Sequence, residues 1–325
     1  MQDSKVLRWG ILGAANIAKK AFIPAIKKSH NAQLVAIASR SVSKAEAFIN
    51  DVGLEDDNVK AYGSYESLLA DPYIDAIYIP TPNHLHLELS KASLSAGKHV
   101  LCEKPIALDK LQALELLEFS KGFPNLLVHE AFMYRYHPRW QRVKSLVMSG
   151  AIGVIRHIYV SFSYANYDSA NVRNKPELGG GALLDIGCYG VSVARWLYDE
   201  EPSGVQSVVR KDPAFGTDTH VSALLGFSGG MASIYCSTQA QPSQMVEIIG
   251  EKGRLFIDQA FNPRDDDCRL DISVDTNTYS EEFNFSDQYL LQLNAFCGAV
   301  EQSEFNHLNV LDAIANMQVL DCIRE

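Results

Sequence analysis

Several groups of residues in this chain have the types and spacing that chemistry needs. The turn Gly10-Ile-Leu-Gly13-Ala-Ala15-Asn16-Ile17-Ala18 lies between an apolar run and a helical stretch. A tight strand-to-helix turn lets free N–H groups at a helix N-terminus hold a pyrophosphate. Gly13 matches the dinucleotide fingerprint, while Ala15 and Ala18 stand where its second and third glycines would. Gly13, Ala15, Asn16 and Ile17 are therefore the candidates for diphosphate contact. The next apolar run ends in Ser39-Arg40-Ser41, with Lys44 one helical turn on and no acid before Glu46. An NAD site usually places Asp or Glu there; a guanidinium instead binds a 2′-phosphate bidentately, so NADP is the expected cofactor and NAD the lesser one. Two more strand ends carry Pro80-Thr81-Pro82-Asn83-His84-Leu85-His86 and Cys102-Glu103-Lys104-Pro105, and the carboxyl ends of parallel strands are where such sheets bind ligands. Asn83 is read as a cofactor contact or a helix cap. Pro80, Thr81, His84 and His86 are candidate cofactor contacts on this loop; the two histidines have no third partner for a metal, and no metal is expected. Far along the chain, Asp185 and Tyr189 are four apart in an apolar helical stretch, which puts them on one face.

Elements of two kinds must position these groups. Up to about Glu130, short strands alternate with helices, with strands near Val6–Leu12, Leu34–Ala38, Lys60–Tyr62, Ala76–Ile79, His99–Leu101 and Leu126–Val128. That alternation is the doubly wound α/β pattern with a parallel sheet covered on both faces. Pro24 interrupts the first helix, where a kink or break is expected. After Glu130 the pattern changes to a helix near Arg139–Met148, a long strand Val154–Tyr164, the glycine turn Gly179-Gly180-Gly181 and an apolar helix from Ala182 to Tyr198. A series of strands from Val205 to Phe285 and two closing helices follow. Turns such as Ser228-Gly229-Gly230 favour hairpins and a large, mostly antiparallel sheet. The expected division is a Rossmann domain at residues 1–129 and a substrate-binding and oligomerising α+β domain at 130–325, whose last helix is a candidate to pack back on the first.

The 325 residues are 47% hydrophobic, enough for a substantial core in two domains, and the formal net charge of −10 argues against a nucleic-acid partner. No apolar run reaches the length of a membrane span, and the first residues lack the apolar stretch of a signal peptide. Six scattered cysteines without a C-x-x-C pair read as reduced core thiols in a cytoplasmic protein, and zinc is not expected.

Gly97-Lys98-His99-Val100 leading to Glu103-Lys104-Pro105, Glu130-Ala-Phe-Met-Tyr-Arg135-Tyr-His-Pro138 and Gly179-Gly-Gly-Ala-Leu-Leu-Asp185-Ile-Gly-Cys-Tyr189 together resemble the Gfo/Idh/MocA oxidoreductase family over nearly the entire chain. The resemblance implies that Lys104 is the catalytic lysine beside the nicotinamide, that Glu103 contacts the cofactor on that side, and that Pro105 is a candidate for a cis peptide. Many members carry His where this chain has Tyr189. The Tyr-bearing chain is more similar to the branch of D-xylose dehydrogenase, glucose–fructose oxidoreductase and dimeric dihydrodiol dehydrogenase. A lysine ammonium polarises a carbonyl, and a phenol beside a cation exchanges a proton with the same oxygen. Asp185 would then fix a substrate hydroxyl or the lysine; the alternative is that Asp185 caps its helix and Tyr189 is core. Arg135 is a candidate to reach the cofactor or an anionic substrate, and Tyr164, Asn171 and Arg173 are candidate pocket residues.

The function these residues imply is an NADP-dependent oxidoreductase moving hydride between the nicotinamide and a hydroxyl or carbonyl of a sugar, cyclitol or vicinal diol. Two alternatives stand beside it: an NAD-dependent glycosidase of the same family, and a non-catalytic dinucleotide-binding regulator, because fold does not imply function. The expected partners are a carbohydrate-like small molecule and further copies of the chain, as homodimer or homotetramer.

Overall fold

The structure is a computed structural model and describes residues 6–263, 268–284 and 286–325. Phe285, the end of one expected strand, lies outside the described residues. The chain divides into two compact units, and the division is not a single cut. The first takes the chain up to Ala107, Leu111–Met133 and Asp287–Ile314; the second takes Leu108–Lys110, Tyr134–Ser286 and Ala315–Glu325. The expected boundary after residue 129 is thus corrected: Asp287–Ile314, with the helix Gln288–Glu301, belongs with the first unit, Leu108–Lys110 with the second, and the first unit runs on to Met133. Leu293, Phe296 and Cys297 of that helix are buried in one apolar cluster with Leu7, Trp9, Phe22 and Tyr78. A ring contact of 5.1 Å between Trp9 and Phe296 joins the helix to the cluster, in which Phe22 stacks on Tyr78 at 3.9 Å.

The first unit is built on strands β1 (Leu7–Leu12), β2 (Ala32–Ala38), β3 (Lys60–Tyr62), β4 (Ala76–Ile79), β5 (His99–Cys102) and β6 (Val128–Glu130). They are all parallel, in the order β3-β2-β1-β4-β5-β6. Every residue of β4 is buried, as two covering helical layers demand. The strand order reverses between β1 and β4, so a crevice opens beyond their carboxyl ends. Pro24 does not break the first helix. The helical run 16–28 is continuous, and a π-helical turn at Ala18–Phe22 widens the coil just before the proline that has no N–H to donate.

The second unit is an eight-stranded sheet. Its strands are β7 (Ile155–Ala165), β8 (Gly204–Lys211), β9 (Asp218–Gly226), β10 (Met231–Ser237), β11 (Gln239–Gly250), β12 (Gly253–Ile257), β13 (Arg269–Val274) and β14 (Asn277–Glu282). The order is β14-β13-β12-β11-β7-β10-β9-β8, antiparallel throughout except where β10 runs parallel to β7. The helix Cys188–Tyr198 lies on this sheet at close range. A Cβ on Gly190 would stand 2.7 Å from Ile234 Cγ2, so glycine is what allows the approach. Tyr134, Trp140, Phe162, Tyr189 and Phe261 pack as an aromatic cluster beneath it. No helix among the described residues is long and apolar enough to cross a membrane.

Candidate active site

The residues expected to meet a dinucleotide lie at the carboxyl edge of the first unit's sheet. Gly13 follows β1 with φ of +116°, a conformation open to glycine, and its N–H donates to Ala38 O at 2.9 Å. A Cβ there would meet the Thr81 methyl at 3.3 Å and lie 3.6 Å from the Tyr65 hydroxyl. Ala15, Asn16 and Ile17 continue from this turn into the helical run. The Thr81 hydroxyl is buried without a hydrogen-bond partner, as is His84 Nδ1 in the short turn Asn83–Leu85. Buried polar atoms without partners are costly. Donors and acceptors of a dinucleotide would satisfy these two, so the residues present fit such a group.

At the end of β2, Ser39 is buried and Arg40 exposed. Arg40 makes no hydrogen bond or ion pair among the described residues, yet its charge is felt at Tyr65, where it opposes the upward push of burial on the phenol. Arg40 and the Gly13 turn therefore border one another across Tyr65. Ser41 caps the helix Val42–Asp51, its Oγ accepting from Lys44 N at 3.3 Å, and Lys44 sits exposed in that first turn.

β4 and β5 bring the remaining loops together, since Glu103 N donates to Ile79 O at 3.0 Å. The Glu103 carboxylate accepts from the Tyr78 hydroxyl at 2.6 Å. Burial first and Glu103 second push the Tyr78 phenol far up, so it stays a donor. Lys104 follows, half-buried, and its peptide to Pro105 is cis. Pro80 is buried at the end of β4, and Asn83 is half-buried. Asn83 does not cap the helix His86–Ser95, which has no side-chain cap. The expectation for His86 as a cofactor contact is overturned. It is fully buried, with Nδ1 2.7 Å from Pro105 O and Nε2 2.8 Å from Thr81 O. Both nitrogens face backbone carbonyls, and the single N–H of the neutral ring donates to one of them, so the side chain turns into the loops and not toward a ligand.

Arg135 falls in the second unit. Its guanidinium donates to Ser192 Oγ at 2.8 Å and lies 5.8 Å from the Trp196 ring, and the cofactor contact expected of it finds no support in these bonds.

The second unit assembles a polar cluster around Asp185. Its Oδ2 accepts from the Tyr164 hydroxyl at 2.5 Å and from Arg173 Nε at 2.9 Å. Burial and then Asp185 hold the Tyr164 phenol far above its ordinary range, and Asp185 chiefly holds the Arg173 guanidinium protonated. Tyr189 is close enough to Arg173 to add to that effect, and it stands 5% exposed against Phe162 and Phe261. The alternative in which Asp185 merely caps its helix does not hold. The helix opens with a π-helical turn, Leu183–Gly187, that contains Asp185, a feature frequent at functional sites. The cap comes from Asp218, whose Oδ2 accepts from Leu183 N at 2.6 Å.

The glycine turn fixes Arg173. Gly181 N donates to Arg173 O at 2.8 Å and Gly180 N to Lys175 O at 3.0 Å, while Asn171 Oδ1 accepts from Arg173 N at 3.0 Å. A Cβ on Gly180 would fall 2.5 Å from Arg173 O. Asn171 Oδ1 is thereby engaged with the backbone. The terminal nitrogens of Arg173 have no partner among the described residues, and its side chain is 45% exposed.

Sequence reasoning missed Asp218, Tyr65 and Glu130, whose Oε1 accepts from Ile106 N at 2.8 Å. Nothing local marks Asp218, which meets its partner only through the strand order of the second sheet. Glu130 carries the one available signal, its place at the carboxyl end of a parallel strand.

Comparison with known proteins agrees with this layout. Residues 7–127 match the model of an oxidoreductase family with an NAD-binding Rossmann fold, and residues 140–256 match the GFO/IDH/MocA C-terminal domain. The chain is 35% identical over 322 residues to a D-xylose 1-dehydrogenase (NADP(+)) of Haloferax volcanii, covering 98% of this chain and 97% of that one. It is 36% identical over 255 residues to a trans-1,2-dihydrobenzene-1,2-diol dehydrogenase of Xenopus tropicalis, covering 77% and 74%. Among solved structures, a 3-ketoreductase from Actinomadura kijaniata in complex with NADP and TDP-benzene superposes with a TM-score of 0.89. It is 28% identical, with 98% of this chain and 97% of that chain covered.

Proposed function

The chain belongs to the Gfo/Idh/MocA family of NAD(P)-dependent oxidoreductases, and on that premise we propose that it moves hydride between NADP and a hydroxyl or carbonyl of a sugar, cyclitol or vicinal diol. The observation that carries the substrate class is the Tyr164–Asp185–Arg173 cluster. The carboxylate and guanidinium offset each other's charge, and the partnerless terminal nitrogens of Arg173 remain to donate. A nearly neutral, donor-rich cluster suits hydroxyl groups better than a dianion. The relatives named as acting on D-xylose and on a dihydrodiol fit the same class. The preference for NADP is supported by Arg40, exposed and unpaired beside the Gly13 turn, and by the absence of an acid from Ser39 to Lys44.

When bound, the nicotinamide supplies hydride exchange at one carbon. The protein's part is electrostatic and acid–base. Lys104 donates to the reacting oxygen and stabilises the charge that grows on it, and Tyr189 gives or takes the proton of that oxygen. Asp185 and Arg173 hold the neighbouring hydroxyls, while Tyr164, locked as a donor, keeps Asp185 in place. Thr81 and the Gly13 turn receive the diphosphate, and Arg40 with Lys44 receives the 2′-phosphate.

The test is steady-state turnover of a panel of aldoses, ketoses, inositols and diols with both cofactors, followed at the NADPH absorbance. Lys104→Met on the best substrate should lower kcat far more than it weakens NADPH binding. Near-parental kcat in Lys104→Met would remove Lys104 from the chemistry.

A further inference from the structure

The peptide that joins Pro105 to Ile106, immediately after Lys104, is gripped at both of its polar ends. Its carbonyl lies 2.7 Å from His86 Nδ1, and its N–H donates to Glu130 Oε1 at 2.8 Å. His86 is 0% exposed and Glu130 4%. Neither stands alone. His86 Nε2 reaches Thr81 O at 2.8 Å at the end of β4, and Glu130 N donates to Asn309 Oδ1 at 2.6 Å, in the helix Leu308–Arg324. The ends of β5 and β6 and the Asn309 turn of that helix are thereby tied to one peptide unit, with His86 packed against the end of β4, and all of these residues fall within the first compact unit.

In the tautomer with the proton on Nδ1 the imidazole donates to the Pro105 carbonyl and the amide of the same peptide donates to the carboxylate, so each polarises the next, while Nε2 of the neutral ring only abuts Thr81 O. A buried carboxylate is costly to keep unless it is well hydrogen-bonded. If the loop needed only filling, an apolar side chain would do it at less cost. What this arrangement supplies is position. The place of a lysine ammonium is set by its Cα, and the gripped peptide begins one residue beyond it. Electrostatics agree with the proximity, since the charge of Lys104 adds to the effect of burial in holding the His86 imidazole down to about 4.

We propose that His86 and Glu130 are positioning residues that fix the Lys104 loop, and through it the Lys104 ammonium. The proposal rests on the reading of Lys104 given above. A misplacement of an ångström from outside the reacting groups can cost about 10²-fold in rate, and that is the size of effect the grip would protect.

Glu130→Gln keeps an acceptor oxygen for Ile106 N–H; Glu130→Leu removes it. In Glu130→Leu, kcat on the best panel substrate should fall about 10²-fold with the NADPH dissociation constant changed less than about threefold. Glu130→Gln should recover kcat to within about tenfold of the parent. Two readouts need no turnover. Amide exchange at Ile106 should accelerate in Glu130→Leu and stay protected in Glu130→Gln. The titration midpoint of 13C-dimethylated Lys104, followed by NMR, should move in Glu130→Leu and not in Glu130→Gln. Should Glu130→Leu not fold, His86→Gln and His86→Leu make the same comparison, since Gln keeps an N–H for the Pro105 carbonyl and Leu does not. If the parent turns over no polyol, the function proposed above fails while exchange and titration still decide the grip. An unmoved Lys104 midpoint with unchanged Ile106 exchange in Glu130→Leu overturns the proposal, as does a Glu130→Gln protein as impaired as Glu130→Leu.

Discussion

Replacing Gly181 with alanine tests how the second unit holds its polar cluster. Gly181 has φ of +115°, and an added Cβ would lie 2.1 Å from Asp218 Oδ1 and 2.8 Å from its Cγ. An alanine held in so unfavourable a backbone conformation costs about 1–3 kcal/mol. The contact must also be relieved, and Asp218 is not free to swing away, because its Oδ2 accepts from Leu183 N at 2.6 Å. Losing a hydrogen bond to a charged acceptor costs about 1.5–3 kcal/mol. The two together come to about 2.5–6 kcal/mol. Since 1 kcal/mol shifts the midpoint of a domain of this size by about 2–4 °C, thermal unfolding should move down by at least about 5 °C. Trp140 and Trp196 lie in this unit and report its unfolding by fluorescence. The two contributions are separable. In an Asp218→Ala background the clash is gone, so Gly181→Ala should then cost only the backbone part, about 1–3 kcal/mol. Turnover should fall with stability, because Gly181 O accepts from Asp185 N at 3.1 Å. A Gly181→Ala protein within 1 °C of the parent, or one whose loss is the same in both backgrounds, would refute the reasoning.

Four further outcomes are expected. Binding should favour NADPH over NADH by at least about tenfold, or about 1.4 kcal/mol; Arg40→Ala should remove most of that preference and Arg40→Asp reverse it, and equal affinities in the parent would sink the idea. Tyr189→Phe should slow turnover about 10²–10⁴-fold, and its effect should be less than additive with that of Lys104→Met; full additivity would mean that they do not serve one oxygen. His129 is held neutral, burial pushing its imidazole down to about 4 from an ordinary 6.5. The unfolded chain takes up a proton there below pH 6.5, so this contribution is complete above 6.5 and about 2 kcal/mol of it is lost by pH 5; a His129→Asn protein with the parent's acid sensitivity between pH 7 and 5 would exclude it. On the second sheet, Tyr159, Tyr235 and Met245 lie on the face opposite the buried Val160, Ile234 and Val246 and are not fully buried. Such a face favours self-association, so light scattering should give a dimer or larger and Tyr235→Glu should shift it toward monomer; a monomeric parent at micromolar concentration would count against this.

The doubly wound half of the protein was legible in the sequence because a parallel strand buried on both faces is a short, wholly apolar run between amphipathic helices. Periodicity alone places β4 and β5 and puts Thr81 and Glu103–Pro105 at their carboxyl ends. Arg40 needed only its position at the end of β2. The Asp185–Tyr189 pair was visible as an i, i+4 spacing, though the coil there is a π-helical turn that no sequence pattern announces. Local pattern misled at His86. A histidine after a strand end looks like a ligand, but burial and two carbonyls 5 and 19 residues away made it a tie between loops. The break expected at Pro24 did not occur; a widened π-helical turn precedes it in an unbroken helical run. Tertiary structure alone decided three things. The helix Gln288–Glu301 returned to the first unit because Trp9 and Phe22 offered it an apolar partner. Asp218 became the helix cap because β9 carried it there. Glu130 met the peptide beyond Lys104 because β5 and β6 pair in register. Each is a contact between residues distant in sequence, and what brings such residues together is the packing of whole elements, which neighbouring residues in a sequence do not encode.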